Sequence, residues 1–376
     1  MKILEVCPYS TSGCGVWTRA IEESVRLANR GHDVRIFSSN FVKGKEGTAK
    51  ADEVIRGLRI KRFPAKKLGG ESFMQWDYEK EALAFNPEVI IVHNYRHLHT
   101  TKALKIAKKL KEKGKKCRVY LVTHAPFVEG NITRRWFETI LVKLYDLIIG
   151  RFTLNKFDKI FPISKWEIPY LLNLGVRKEK IVYIPNGIPE EFFKQKMGKE
   201  KDFVLFLGRI APKKTIETLI ESTGILKRAN KKISVQIVGP TEKEYFEFLK
   251  SEVKKNNVEK EIKFLEPIYD LKEKIKKLDS AGLYVLPSRV EGMPQALIEA
   301  MARGKVVIGS DSIAIRDLIK NGENGFLFEF RNPKDLAKKI ERVFNEDTKN
   351  LKENAKKSVE IFNWNKVIDK IEMEIK

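Results

Sequence analysis

Short apolar runs alternate with amphipathic stretches along this 376-residue chain, and the alternation starts again halfway. Strands are predicted at 2–7, 33–39, 57–63, 88–94, 117–124 and 159–164, and then at 203–209, 233–239, 262–267, 283–288 and 305–310. Strands that alternate with helices predict a parallel sheet covered by helices on both faces. Two such sets predict an α/β protein of two doubly wound domains. Between the domains we expect a cleft, which the carboxyl ends of the strands face.

The segment 184–202, IPNGIPEEFFKQKMGKEKD, separates the two sets with Pro, Gly and a run of charges. Such a composition is typical of a domain boundary. We therefore predict domains at 1–186 and 187–360, followed by a helix at 361–376.

The chain is strongly basic, with 73 Lys and Arg against 50 Asp and Glu and a formal net charge of +23. This balance favours anionic partners such as nucleic acid, acidic lipid headgroups or phosphorylated substrates. A lysine-rich, thermophile-like surface is the other interpretation. The lysines are dispersed rather than gathered into one stripe, which speaks against a nucleic-acid-binding protein.

The number of cysteines and the hydropathy of the chain indicate the cellular compartment in which the protein is expected. An odd count of three cysteines without a C-x-x-C predicts a reducing compartment and no zinc ribbon. The longest apolar stretch, 137–150, is too short to span a bilayer. We expect a cytoplasmic protein, with peripheral contact to the inner membrane face left open.

The segment 288–311, SRVEGMPQALIEAMARGKVVIGSD, carries the most chemical information. Pro294 suits a first helical turn, and Gly304 suits the position just after a helix end. The free amides of Gln295 and Ala296 would then form an anion site at the helix start.

Glu291 and Glu299 are the unusual members of this segment. Glu299 is flanked by apolar residues, and a carboxylate in such surroundings needs a hydrogen-bond donor. The two vicinal hydroxyls of a sugar are suitable donors. The alternative is a helix face with a solvated glutamate.

The order E-G-x-P-x-x-x-x-E-A-M-A-x-G over 291–304 resembles the E-x7-E signature of retaining family-4 glycosyltransferases with the GT-B fold. Further segments match that family in the same chain order: RGHDV (30–34), LVTHAP (121–126), Ser164, IPNGI (184–188), FLGRIAPKK (206–214) and NGENGFLF (321–328). The resemblance covers nearly the whole chain. It implies a GT-B fold of two Rossmann-like domains and a last helix that packs back toward the first domain.

The resemblance also implies roles for matching residues. Arg209 and Lys214 would contact the donor diphosphate and stabilise the leaving group. Glu299 would hold the ribose hydroxyls, Glu291 the hydroxyls of the transferred sugar, and His124 would lie beside the reaction centre. The donor-binding residues implied are Gly13, Gly15, Val16, Gly208, Arg209, Lys214, Glu291, Gly292, Met293, Pro294, Gln295, Ala296 and Glu299. The catalytic residues implied are His124, Arg209, Lys214 and Glu291.

We predict no metal, because the chain has no Asp-x-Asp and two fixed cations can replace a metal's charge. The histidines of HNYRHLH (93–99) lack a nearby Cys or carboxylate to complete a metal site. His93 ends a predicted strand and is expected on the acceptor side. One departure from the family pattern is Thr215, which stands where a glycine is usual.

The loop in YSTSGCGVWTRA (9–20) first suggests a dinucleotide-binding turn. It fails that pattern because Thr18 replaces the third glycine and the next strand ends in Ser38-Ser39-Asn40, without an acidic residue for the ribose. A nicotinamide or flavin cofactor is therefore not expected. The loop either approaches the sugar phosphate through its backbone or only turns the chain.

The basic, aromatic segment 132–157 has two interpretations. A helix facing the core of the first domain is the favoured one, and docking on an anionic membrane is the other.

The sequence thus predicts an enzyme that transfers a hexose-type sugar from a nucleoside-diphosphate sugar, expected to carry UDP or GDP, to a glycan or lipid-linked acceptor. The anomeric configuration would be retained, and no further cofactor is expected. A sugar-nucleotide epimerase of similar architecture and a basic nucleic-acid-binding protein are the alternatives.

Overall fold

The computed structural model describes residues 1–10, 14–42, 47–68, 73–127, 136–195 and 198–376, with the backbone alone at 136–138. Among these residues the strands are β1 (Lys2–Cys7), β2 (Asp33–Ser39), β3 (Asp52–Ile55), β4 (Leu58–Phe63), β5 (Lys66–Lys67), β6 (Met74–Gln75), β7 (Val89–His93), β8 (Arg118–Val122), β9 (Lys159–Phe161), β10 (Lys201–Leu207), β11 (Ser234–Val238), β12 (Ile262–Leu265), β13 (Ala281–Leu286), β14 (Val306–Ser310) and β15 (Phe326–Phe328). All eleven predicted strands are present, with ends that differ by up to three residues.

The helices of the same residues lie between the strands and after the last of them. They are α1 (Gly15–Asn29), α2 (Glu79–Phe85), α3 (Leu98–Glu112), α4 (Trp136–Tyr145), α5 (Arg151–Leu154), α6 (Glu167–Asn173), α7 (Glu217–Arg228), α8 (Lys243–Lys255), α9 (Leu271–Ser280), α10 (Gln295–Ala302), α11 (Ile313–Arg316), α12 (Pro333–Asn345), α13 (Lys349–Ser358) and α14 (Trp364–Ile375). The described residues up to Gly187, together with Asn365–Lys376, form one compact unit, and Ile188–Trp364 forms a second.

The sheet of the first unit has the order β3-β4-β2-β1-β7-β8-β9 in the described residues. Its strands are parallel except β3, which pairs antiparallel with β4. Arg56 and Gly57 join these two strands with positive φ angles of 49° and 82°. Such angles suit a two-residue hairpin turn. The sequence did not predict this edge strand.

Helix α14 is the last element of the chain and lies against the first unit. Arg30 pairs with Asp369 and Glu372 at 2.7 Å and 2.6 Å, and His32 contacts Glu372 at 2.8 Å. The Tyr120 hydroxyl of β8 donates to the Glu374 carbonyl at 2.9 Å. The RGHDV turn therefore holds the final helix through its arginine and histidine.

The sheet of the second unit is parallel in the described residues, with the order β12-β11-β10-β13-β14-β15. Counted within the unit this order is 3-2-1-4-5-6, and the parallel strands of the first unit have the same order. This is the Rossmann arrangement, which binds ligands beyond the carboxyl ends of the strands where the order reverses. The reversal lies between β10 and β13 in the second unit and between β1 and β7 in the first.

Candidate active site

In the second unit, the loops after β10 and β13 meet at the reversal point. The backbone amide of Arg289 donates to the carbonyl of Lys213 at 2.9 Å. The Thr215 hydroxyl donates to the Pro287 carbonyl, and Thr215 has a φ of 43°. A threonine in the left-handed region is strained, and this buried hydrogen bond offsets part of the cost. Thr215 therefore keeps the backbone shape for which a glycine is usual.

Gly208 follows β10 at a point where two backbones touch. A Cβ added to Gly239, which follows β11 with a φ of 148°, would lie 1.9 Å from the Gly208 carbonyl oxygen. The Gly208 amide also donates to the Val238 carbonyl at 3.0 Å. Gly239 is thus required for the close approach that shapes the loop leading to Arg209.

Three cations lie in the loop after β10 near the loop after β13. Lys214 forms an ion pair with Glu291, and both side chains are mostly buried, with 14% and 11% of their surface exposed. Burial and the charge of Lys214 lower the pKa of Lys213. Arg209 is exposed at the end of β10. The arrangement concentrates positive charge around one carboxylate.

Glu299 points from the middle of α10 into a nearly closed environment, and only 7% of the residue is exposed. Lys274 of α9 lies 2.5 Å from its Oε2. Burial raises the pKa of Glu299, while the Lys274 charge and hydrogen bond oppose this effect. The sequence predicted sugar hydroxyls as donors to Glu299 and no partner within the protein, whereas the structure places Lys274 beside it.

Tyr284 links β13 to the end of β10 beside the candidate site. Its buried hydroxyl donates to the Leu207 carbonyl at 3.2 Å. Burial raises its pKa well above the usual value, and the charges of Glu291 and Glu299 raise it further. Both carboxylates are therefore near enough to Tyr284 to act on its ionisation.

The start of α10 lies at the same edge. Pro294 precedes the helix, and its carbonyl accepts from the amides of Leu297 and Ile298 at 3.1 Å and 3.2 Å. The amides of Gln295 and Ala296 occupy the first turn, where helical amides lack an intrahelical acceptor. The helix ends at Ala302, and Gly304 follows with a φ of 61°. The predicted capping glycine is confirmed.

The other described residues predicted to bind the sugar donor are half-buried or exposed. Gly292 and Met293 are half-buried in the loop before α10, and Met293 packs against the core. Gly15 is exposed at the start of α1, and an added Cβ there would meet nothing within 4 Å. Val16 is half-buried beside it, and Gly13 lies outside the described residues.

In the first unit, His124 lies just beyond β8 in a strained backbone. His124 and Ala125 have φ angles of 57° and 53°. The buried carboxylate of Glu167 supports this turn, accepting from the Thr123 hydroxyl at 2.6 Å and from the Ala125 amide at 3.0 Å. Strain of this kind, about 1–3 kcal/mol per residue, persists where neighbouring groups enforce it.

A second set of contacts holds Glu167 itself. Its other oxygen accepts from the amides of Ile163 and Ser164 at 2.8 Å and 3.0 Å. Burial raises the pKa of Glu167 to about 7, against the lowering effect of these hydrogen bonds. The serine that matched the family pattern therefore contributes its backbone amide to the support of the His124 turn.

A buried chain of side chains leads to His124 from the interior. Glu5 Oε2 lies 2.7 Å from His93 Nε2, and His93 Nδ1 lies 2.8 Å from His124 Nε2. Burial raises the pKa of Glu5 to about 8 and lowers that of His93 to about 4. His93 is fully buried, so the expectation that it lines an acceptor surface is wrong.

Arg19 of α1 connects this interior to the IPNGI segment. Its Nε donates to Glu23 at 3.0 Å, and another nitrogen donates to the Ile184 carbonyl and to Asn186 Oδ1 at 3.2 Å and 2.9 Å. Each of these groups is almost fully enclosed. The asparagine of the motif thus serves as an acceptor for a buried arginine.

Sequence reasoning missed Glu5, Arg19, Glu23, Glu167, Lys274 and Tyr284. Glu5 had a usable signal, since it is a carboxylate in the otherwise apolar run KILEVC. Lys274 had none, because it lies in a helix with four lysines.

The segment 132–157 differs from its favoured interpretation. Residues 132–135 lie outside the description; α4 then leads through one π-helical turn, Asp146–Gly150, into α5. Seven of its apolar side chains are exposed: Ile140, Leu141, Leu144, Leu147, Ile148, Ile149 and Phe152. The prediction of a core-facing helix is therefore wrong for this part.

The described residues contain neither a ligand set for a metal nor a helix that could span a membrane. No group of three or more His, Cys, Asp or Glu side chains in that part of the chain is arranged to hold a metal ion. No helix there is long and apolar enough to cross a membrane.

Two Rossmann-type units in one chain are the architecture of the GT-B class of proteins, and comparison with a known structure agrees. A structure from Anabaena, Alr3699/HepE in complex with UDP, matches with a TM-score of 0.76 and 16% identity, covering 99% of each chain. The GT-B fold predicted from the sequence is confirmed.

The family follows from two sequence models. "Glycosyltransferase Family 4" matches residues 14–192, and "Glycosyl transferases group 1" matches residues 187–358. The chain belongs to the group 1 and family 4 glycosyltransferases, as its motifs indicated.

Curated relatives are similar over shorter stretches. An amylovoran biosynthesis glycosyltransferase of Erwinia amylovora is 31% identical over 180 residues, which are 45% of this chain and 43% of the relative. An N,N'-diacetylbacillosaminyl-diphospho-undecaprenol α-1,3-N-acetylgalactosaminyltransferase of Campylobacter jejuni is 27% identical over 193 residues, 46% and 48% of the two chains. The chain spans less than half the length of these curated relatives.

Proposed function

We propose that this protein transfers a hexose-type sugar from a nucleoside-diphosphate sugar to a glycan or lipid-linked acceptor, with retention of the anomeric configuration and without a metal. The observation that carries the proposal is the pair of lysine–glutamate contacts at the reversal point of the second unit, Lys214–Glu291 and Lys274–Glu299. A diphosphate needs fixed cations and a sugar needs carboxylate acceptors, and both lie at the edge where Rossmann sheets bind ligands.

Each residue then has a role in the reaction. Arg209 and Lys214 bind the diphosphate and stabilise the charge that develops on it as the bond to the sugar breaks. Glu299 accepts hydrogen bonds from the ribose, and Glu291 from the transferred sugar. The acceptor hydroxyl forms the new bond on the same face, and its proton passes to the departing phosphate oxygen. His124 hydrogen-bonds a sugar hydroxyl.

The relatives support the kind of substrate. The HepE structure holds UDP, and the named Campylobacter relative acts on a diphospho-undecaprenol acceptor. We propose a UDP or GDP sugar as the donor, and the HepE structure supports UDP. The other predicted donor contacts, from the loops beginning at Gly13, Gly208 and Gly292, are part of the same proposal.

Site variants test the assignment. Arg209→Ala is expected to lower kcat about 10²- to 10³-fold, the usual cost of removing one group that stabilises developing charge. Glu299→Ala should weaken nucleotide binding about 10- to 100-fold, because a buried charged hydrogen bond is lost. Arg342→Ala, an exposed arginine on α12, is the control and should leave transfer unchanged.

Product analysis separates this proposal from an epimerase. NMR of the product should show a new glycosidic bond with the anomeric configuration of the donor. An isomerised nucleotide sugar without a new bond would refute the transferase proposal. Full activity of Arg209→Ala and Glu299→Ala, with wild-type circular dichroism, would refute the assignment of the site.

The exposed apolar segment of α4 and α5 favours contact with an anionic membrane as a second proposal. Leu147, Ile148 and Phe152 are 59%, 59% and 69% exposed, and Lys143 and Arg151 lie beside them. Burial of such side chains gains about 1.5–3 kcal/mol each, and lysine or arginine near an acidic surface adds about 1 kcal/mol. Vesicles rich in phosphatidylglycerol should therefore float the protein, and Phe152→Glu should prevent it. No flotation of the wild type at low salt would refute the contact.

A further inference from the structure

The buried contacts that reach His124 form one continuous path across three neighbouring strands. Glu5 lies in the middle of β1, His93 ends β7, and His124 lies beyond the end of β8. The path therefore advances toward the carboxyl end of the sheet as it crosses it. Its two histidine contacts measure 2.7 Å and 2.8 Å, both within hydrogen-bond distance.

Burial isolates this path from water at every point except its outer end. Glu5 and His93 are fully buried, whereas His124 is partly exposed. His93 uses both ring nitrogens in the path, and its backbone carbonyl contacts His99 Nε2 at 2.8 Å. Among the described residues, the path leaves one ring nitrogen of His124 unused, Nδ1, so Nδ1 is the atom left for a ligand.

Neutral imidazoles make the hydrogen bonds of the path depend on each other. A neutral histidine donates from one nitrogen and accepts at the other. If His93 donates from Nε2 to Glu5, its Nδ1 must accept from His124 Nε2–H, and His124 Nδ1 is then an acceptor. If Glu5 donates instead, every bond reverses and His124 Nδ1 becomes a donor.

The inner end of the path decides between these directions. Glu23 lowers the pKa of Glu5 as a neighbouring hydrogen-bonding side chain, and Arg19 donates to Glu23 Oε2 at 3.0 Å. Glu5 Oε1 and Glu23 Oε1 are buried and have no donor among the described residues. A proton held by Glu5 on Oε1 and donated to Glu23 Oε1 satisfies both atoms at once. Glu5 Oε2 then remains an acceptor for His93.

Charge balance also indicates that Glu5 and Glu23 together hold one proton. Arg19 is 1% exposed and always charged, so one ionised carboxylate neutralises it and the second carboxyl must be protonated. Burial raises the pKa of Glu5 to about 8 and that of Glu23 to about 7, and lowers the pKa of His124 well below its usual value. The other titratable groups that face the path are Cys7 beside Glu5, His97 beside His124 and His99 beside His93.

We propose that Glu5 and His93 are positioning residues that keep the proton of His124 on Nε2, so that Nδ1 accepts a hydrogen bond from a substrate hydroxyl. The role of that hydroxyl rests on the proposed glycosyl transfer, whereas the tautomer does not. A fixed acceptor distinguishes a hydroxyl that must donate from an ether or carbonyl oxygen that cannot. His124 would therefore bind a sugar hydroxyl only when that hydroxyl is oriented to donate its proton to Nδ1.

Two variants of Glu5 separate this role from simple packing. In Glu5→Gln the amide can donate to Glu23 while its carbonyl accepts from His93, so the direction of the path is preserved without a titrating proton. In Glu5→Leu the acceptor for His93 is lost, while Arg19 and Glu23 still neutralise each other. In Glu5→Gln the proton of His124 should stay on Nε2 as in the wild type. In Glu5→Leu the proton should no longer be held on Nε2.

The tautomer is measured directly by long-range ¹H–¹⁵N correlation spectra of the full chain with ¹⁵N-labelled histidine. His124→Gln identifies the His124 signals among the five histidines. We expect a protonated Nε2 in the wild type and in Glu5→Gln, and a mixture or a protonated Nδ1 in Glu5→Leu. A protonated Nδ1 in the wild type, or an unchanged tautomer in Glu5→Leu, would overturn the proposal.

Activity provides the second measurement. Glu5→Leu should lower kcat/KM for transfer about 3- to 10-fold, the value of one neutral hydrogen bond, with UDP binding unchanged in a thermal-shift assay. Glu5→Gln should restore it, and failure of that rescue with an intact tautomer would refute the role in substrate binding. If the wild type transfers no sugar, the proposed function fails, and the spectra still decide the tautomer.

Discussion

Asp279→Asn is expected to destabilise the second unit more than any exposed charge change. Arg303 directly follows α10 and is buried together with Asp279, with side-chain exposures of 1% and 0%. Its guanidinium donates to both Asp279 oxygens, at 2.8 Å and 2.7 Å. It also donates to carbonyls of Glu191, Phe192, Lys194 and Gln195. The pair thus joins the helix that carries Glu299 to the segment that opens the unit.

The magnitude follows from the burial. Asparagine keeps the size of the side chain but removes the only counter-charge that this guanidinium contacts within hydrogen-bond distance in the described residues. Breaking a buried ion pair in this way costs about 3–5 kcal/mol. A domain has only about 5–15 kcal/mol of stability, so the loss is large. With a urea m-value of about 2–3 kcal/mol/M, the unfolding midpoint should fall by roughly 1–2 M.

The chain offers a matched control. Arg342 and Glu346 on α12 also lie 2.7 Å apart, but their side chains are 55% and 53% exposed. Glu346→Gln should cost only about 0.2–1 kcal/mol, because water already solvates both charges. Urea unfolding of both variants is followed by circular dichroism. Equal losses of unfolding free energy in Asp279→Asn and Glu346→Gln would show that burial does not govern the strength of these ion pairs.

Two further predictions concern backbone packing and pH. Gly239→Ala should lower the free energy of unfolding in urea by about 1–3 kcal/mol more than Gly322→Ala. Both glycines have a positive φ, but only a Cβ at Gly239 would meet a backbone oxygen, that of Gly208. Equal losses would contradict the close approach of these two backbones. Hydrogen bonds from His32 and Arg30 lower the pKa of Glu372 to about 2 from 4.5. Its stabilising effect is therefore complete above pH 4.5 and is lost as the pH falls toward 2. In an acid titration followed by circular dichroism, the Glu372→Gln variant should lose less stability than the wild type between pH 4.5 and 2. The same loss of stability in both proteins would refute the low pKa of Glu372.

Features with a local cause were predicted well from the sequence. The run KILEVC forms β1 as predicted because its apolar side chains suit a strand buried on both faces. Gly304 ends α10 because the left-handed angle at that position favours glycine. The strand β3 was not predicted, since DEVI is mostly exposed and lacks an apolar pattern.

Features that depend on distant residues were predicted less well. The helix LKEKIKKLDS contains four lysines, and only its packing beside α10 selects Lys274 as the partner of Glu299. The path from Glu5 to His124 joins strands that are far apart in sequence. The type of residue in each strand was visible, but the contact required the order of the strands in the sheet.

The position of α14 has a consequence for biosynthesis. The first unit is built from the earliest residues of the chain and from Asn365–Lys376, and the whole of Ile188–Trp364 is synthesised in between. Ribosomes add about 5–20 residues per second, so the nascent first unit waits roughly 10–40 s for its last helix. During that time the surfaces that receive α14, including Arg30 and the Tyr120 hydroxyl, remain uncovered. The second unit needs no such return, because Ile188–Trp364 is continuous in sequence.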